Sequence, residues 1–217
     1  MINKQYSIKR LQTGSALIIG LTILLVMLIL GTAGMRTTIM EERMAGNVRD
    51  YNIAFQAAEL GLVDGEQDVR NIDPITNNPL RDGIFPADDD FSTNCINASI
   101  PELNGLCRPS STYPPQWLAI AWNADPATVA NVPFRQYGDY TELDGSTPPS
   151  LPGLPTNYRL PRYIIEYLGE GPGSLGIGGA PRPANKYYRI TAQGYGVAMS
   201  DNLEPLARVM LQSTYGK

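Results

Sequence analysis

The hydrophobic pattern of this chain passes through three regimes. From Ser15 to Met35 the chain reads SALIIGLTILLVMLILGTAGM, 21 residues without a charge, and Arg36 closes the run. A bilayer core of about 30 Å is crossed by roughly 20 apolar residues in a helix, so this run predicts a membrane-spanning segment. It is longer than a secretory h-region of about 7–15 residues, and Gly31-Thr32-Ala33 only loosely matches a signal-peptidase site. Beyond Arg36 the period becomes helical. Met40, Met44, Val48, Tyr51, Phe55, Ala58 and Leu62 form one apolar stripe. Glu41, Glu42, Arg43, Arg49, Asp50, Gln56, Glu59, Asp64 and Glu66 fall mostly on the other side. No proline interrupts before Pro74. The pattern predicts one helix from about Ser15 to about Val69, on the order of 80 Å long at 1.5 Å per residue. Its stripe is expected to pack on the rest of the chain rather than to hold a cofactor. Gly31, Thr32 and Gly34 mark where it would bend most easily.

The third regime is β-like. Arg162–Leu168 is rich in β-branched and aromatic residues. In Lys186–Met199, Tyr188, Ile190 and Ala192 alternate with Arg189, Thr191 and Gln193. In Ala207–Tyr215, Ala207, Val209, Leu211 and Ser213 alternate with Arg208, Met210, Gln212 and Thr214. Each reads as a half-buried strand. Together they predict an antiparallel sheet of at least three strands on the amphipathic part of the helix, an α+β fold. Residues 71–161 read as loop-rich. Trp117, Leu118, Ile120 and Trp122 are the main apolar patch there, and residues 143–157 form a proline-rich connection.

Composition narrows the chemistry. The 217 residues suffice for one domain plus a long element. The chain has no histidine, so His-dependent catalysis and zinc-His sites are excluded. Its net charge of −4 argues against nucleic-acid binding by the head. The charge is uneven: residues 1–14 carry Lys4, Lys9 and Arg10 and no acid, while the rest holds 14 basic and 21 acidic groups. The positive-inside rule keeps the basic end cytoplasmic and places the chain after Arg36 outside the inner membrane. In that compartment the two cysteines, Cys95 and Cys107, can pair. Closing their short loop stabilises by about 3 kcal/mol on loop entropy.

Several motifs have plainer readings. Gly171–Gly176 matches G-x-G-x-x-G, but the proline- and glycine-rich continuation cannot open the helix that a pyrophosphate site needs. Asp88, Asp89 and Asp90 are adjacent rather than alternating, which suits a solvated loop better than a calcium loop. Asn97-Ala-Ser99 is a sequon. Glu41 and Glu42 have no basic residue three or four positions away, so they read as solvated or as contacts to a neighbouring subunit. No catalytic cluster, cofactor site or metal site is expected.

A basic leader ending in Gly14, an apolar helix continuing as an amphipathic one, and a small sheet resemble a type IV pilin. The run from Met35 to Glu66, with TTIMEERMAGN and AFQAAE, resembles the N-terminal signature of PilX-type minor pilins. PRYIIEYL, YYRITAQGYG and LQSTY resemble the end of that family. The middle, about 71–160, carries no such likeness.

The resemblance implies a leader 1–14, a transmembrane half of the helix 15–35, an amphipathic half 36–70 and a periplasmic or extracellular head 71–217. It implies cleavage by prepilin peptidase between Gly14 and Ser15 and methylation of the new N-terminus. Ser15 departs from the bulky residue usual at that position. It further implies an inner-membrane precursor that moves to the pilus and cell surface, without enzymatic activity. The partners implied are the major pilin and other minor pilins, with a large tip adhesin as a further candidate. The expected role is pilus assembly or initiation, supporting adhesion or twitching motility.

Major pilins carry a glutamate as the fifth mature residue, thought to pair with a neighbour's N-terminal ammonium. Here that position is Ile19, which suggests a subunit at or near the tip. The alternatives from the sequence are a pseudopilin of a type II secretion system and a single-pass inner-membrane binding module.

Overall fold

In the computed structural model, residues 14–71, 85–86, 88–141, 159–171, 185–202 and 204–217 are described. Residues 1–13, the proline-rich connection 143–157 and most of the glycine motif lie outside them. One long helix, α1 (Ser15–Arg70), is followed by five strands: β1 (Leu106–Cys107), β2 (Arg135–Gln136), β3 (Arg162–Glu170), β4 (Lys186–Tyr195) and β5 (Arg208–Gly216). Two compact units are distinguished, Met1–Asn47 and Val48–Lys217. The helix is unbroken through Gly31 and Gly34.

In the first unit, the side chains from Leu17 to Leu30 are exposed. Length and composition qualify α1 to cross a membrane.

In the second unit, β3, β4 and β5 form an antiparallel meander in the order the sequence pattern predicts. The sheet is mixed rather than purely antiparallel, because β1 joins the free side of β3 in parallel and β2 joins the same side antiparallel. Alternation sorts the side chains to two faces. Tyr163, Ile165, Tyr188, Ile190 and Ala192 share a core cluster with Leu62 and Val69 of α1. On the opposite face, Ile164 packs with Cys95, Cys107, Trp122 and Phe134. The middle of the chain, expected to be loop-rich, supplies two strands and a covering layer. Those strands are two residues long, too short for a periodic signal. β4 stops at Tyr195, short of the expected Met199, because the N–H groups of Val197 and Ala198 turn to a helix carboxylate.

The expectation for the apolar stripe is corrected. Met40, Met44, Val48, Tyr51 and Phe55 are exposed, and only Ala58 and Leu62 of the stripe are buried. The sheet instead packs on a face of small residues and aspartates: Asp50, Ala54, Ala57, Gly61, Asp64, Gly65 and Asp68. The reason is distance. A Cβ on Gly194 of β4 would overlap the backbone of Ala54 and Ala58. Helix and strand backbones meet there too closely for a large side chain between them. Gly61 likewise faces Ala192, and Gly65 faces Ile190. Four helix residues rise about 6 Å and two strand residues about 6.6 Å, so the pairing repeats along both elements.

Candidate functional site

Three helix aspartates clasp the head onto α1. Positions 50, 64 and 68 fall on one face, since four turns separate the first two and one turn the last two. Asp50 Oδ1 accepts the backbone N–H groups of Val197 at 2.6 Å and Ala198 at 2.9 Å. Gly196 leaves room for that carboxylate, which a Cβ would overlap. Asp64 is fully buried. Its carboxylate accepts the N–H of Gly138 at 2.9 Å and the hydroxyl of Thr141. Burial pushes the Asp64 carboxyl up to about 7, against those two hydrogen bonds and with help from the charges of Asp68 and Asp139. Asp68 pairs with the buried guanidinium of Arg135 and accepts the Tyr163 hydroxyl at 3.2 Å.

Arg135 is the hub. Beyond Asp68 it donates to the carbonyls of Asn104 at 2.9 Å and Glu102 at 2.7 Å, and it lies 4.0 Å over the Tyr140 ring. Burial alone would lower its pKa; the Asp68 charge, with Tyr163 and Tyr140, outweighs burial and raises it. One side chain thus ties the helix to the loops either side of β1 and β2. A second ion pair crosses the sheet: Arg189 of β4 holds Glu166 of β3 with two bonds of 2.8 Å.

The cysteines form a disulfide, with both residues fully buried among Trp122, Phe134 and Ile164. Gln116 donates to the Thr93 carbonyl, and the Trp122 indole N–H donates to the Trp117 carbonyl at 2.7 Å. The disulfide loop thus covers the sheet face opposite the helix.

The other sequence candidates lie apart. Asp88 pairs with Lys186 at 2.9 Å, and that hydrogen bond lowers the Asp88 pKa. Asp89 lies 3.6 Å from Arg108. Asn97 turns its side-chain oxygen to the N–H groups of Ser99 and Ile100. Ile19 is an exposed position on α1, four residues into the helix from Ser15. Among the described residues no cluster of His, Cys, Asp or Glu could hold a metal ion.

The sequence pattern hides the clasp, because Asp50 and Asp64 fall among the polar positions opposite the apolar stripe. A signal was present: with Asp68 they share a face with Ala54, Ala57, Gly61 and Gly65, where no large residue competes for burial.

An exposed apolar helix whose C-terminal part carries a small mixed sheet defines an α+β protein of the pilin-like class. The PilX N-terminal family model matches residues 13–63, and the model for the C-terminal part of the type IV pilus assembly protein PilX matches residues 103–217. The second match alone covers more than half of the chain, and the chain belongs to the PilX family of minor pilins. Searches among curated proteins and among solved structures return no match.

Proposed function

We propose that this chain is a minor pilin that helps initiate the type IV pilus and sits at or near its tip. In this reading prepilin peptidase cuts between Gly14 and Ser15, and the apolar part of α1 moves from the inner membrane into the filament core. The head is displayed outside, where it supports adhesion or twitching, and the partners are the major pilin, other minor pilins and a tip adhesin. The observation that carries the tip position is Ile19. A carboxylate in an apolar bundle is costly unless paired. A subunit with nothing above it has no ammonium to pair with, so an apolar residue there removes the cost.

The test labels the head, through an engineered surface tag, and images assembled pili. Label confined to one end is the expected result. Label spread along the shaft would overturn the tip position. The mature N-terminus, sequenced with and without prepilin peptidase, checks the processing step. Ser15 as first residue only with the peptidase is expected; Met1 retained in both strains would remove it.

A further inference from the structure

We infer that the outer edge of β5, together with the exposed flank of α1 beside it, accepts an extended segment of another protein as an added strand. The argument begins with the rows of side chains that α1 lays across the sheet. Residues four apart form ridges on a helix surface. The ridge through Asp64 and Asp68 reaches β3, where Asp68 meets Tyr163. The ridge through Gly61 and Gly65 lies on Ala192 and Ile190 of β4. The ridge through Ala54, Ala58, Leu62 and Glu66 meets β5: Ala54 and Ala58 cluster with Val209, and Ser213 donates to Glu66 at 3.1 Å. The next ridge outward is Tyr51, Phe55, Glu59 and Val63. Among the described strands none lies below it, because β5 ends the sheet. Tyr51, Phe55 and Val63 are left 54%, 41% and 47% exposed.

The edge itself is suited to pairing. Lys217 exchanges two hydrogen bonds with Lys186, and Gly196 donates to Ala207. With the β4–β5 register, odd-numbered residues of β5 turn their backbone groups to β4. Met210, Gln212, Thr214 and Gly216 therefore turn theirs outward. Natural edges are usually blunted by charge, proline or a bulge. From Val209 to Gly216 there is no charge and no proline, and the β4–β5 register runs without a break. A strand laid here gains backbone hydrogen bonds on one side and apolar cover on one face.

The same two surfaces define the occupant. Residues facing Tyr51, Phe55 and Val63 would be apolar, with a basic residue opposite Glu59. Their alternates, beside Gln212 and Thr214, would be polar. A second copy of β5 does not meet this description, since its one basic residue, Arg208, stands at its end and not in the middle, opposite Glu59.

The test uses the full chain in detergent micelles and a labelled peptide of about nine residues, alternating Val and Thr with a central Lys. Binding is followed by fluorescence anisotropy, and amide hydrogen exchange reads β5. Thr214→Pro removes one outward N–H and no bond to β4, so it should weaken binding at least ~10-fold. Thr214→Ala should leave binding within about twofold. Phe55→Ser, at an exposed position, should weaken it ~10-fold without any change to the strand, which keeps the test decisive if the proline variant misfolds. Protection of Met210, Gln212 and Thr214 amides by the peptide is expected. Absence of binding and protection at millimolar peptide would overturn the inference. So would self-association of the chain that Thr214→Pro abolishes, which would assign the edge to a second copy.

Discussion

The guanidinium of Arg135 closes on the carboxylate of Asp68 with both side chains fully removed from solvent, although 67 residues separate them in sequence. It joins α1, β2 and the turn before β1 at one point.

Removing one partner leaves the other charge buried, at about 3–5 kcal/mol. Arg135→Met should therefore destabilise the second unit by that amount in thermal unfolding of the full chain in detergent. The double variant with Asp68→Asn should recover much of the loss, because no charge is then stranded. A single-variant loss below ~1 kcal/mol would show that the pair is dispensable.

Asp64 makes stability depend on pH. Its folded-state pKa of about 7 lies above the ordinary 3.8, so the folded chain binds its proton more tightly than the unfolded chain. That contribution is complete at acid pH and disappears as pH rises through about 7. The second unit should be more stable at pH 5.5 than at pH 8, with roughly 2 kcal/mol coming from this group. Asp64→Asn should flatten the profile between those values. A wild-type profile that rises toward pH 8, unaltered by the substitution, would contradict the burial of this carboxyl.

Two glycines of one helix should respond differently to alanine. At Gly46 nothing lies within 4 Å of an added Cβ, so Gly46→Ala should stabilise α1 by about 1 kcal/mol through propensity. At Gly65 the same atom would sit 2.6 Å from Ile190 Cγ2 and 3.2 Å from Tyr163. Overpacking of about 1–3 kcal/mol should offset that gain or exceed it. Circular-dichroism melts of both variants check the pair. Two stabilising substitutions would mean that the helix–sheet seam yields easily.

Loss of the disulfide should act locally. Cys95→Ser with Cys107→Ser releases a loop of about a dozen residues and should cost about 3 kcal/mol. Hydrogen exchange should rise in residues 93–107, while the amides of β4, two strands away from β1, stay protected. Uniform exchange across the sheet would show instead that the loop and the meander unfold as one.

The long helix and the three long strands were legible because each runs nine or more residues, marked by an apolar run, by alternation or by β-branched and aromatic composition. Arg162–Leu168 and Ala207–Tyr215 differ from the observed strands by a residue or two at their ends. The helix face was misread because the pattern was weighted by side-chain size. Tyr51 and Phe55 are large and apolar, yet backbone approach at Gly194 selects Ala54 and Ala58 instead. Arg135 gave no local signal at all, since its partners Asp68, Glu102 and Asn104 are far away in sequence. β1 was invisible for the same reason: two residues become a strand only because Ile165 and Glu166 lie beside them.

The seam between α1 and β4 has a mechanical consequence. Helix positions 54, 61 and 65 meet strand positions 194, 192 and 190 in reverse order, so the two elements run antiparallel. Asp50, Asp64 and Asp68 tie the head at three levels along that line. A pull directed along the helix loads these ties sideways and together. They share that load as a row of rivets does.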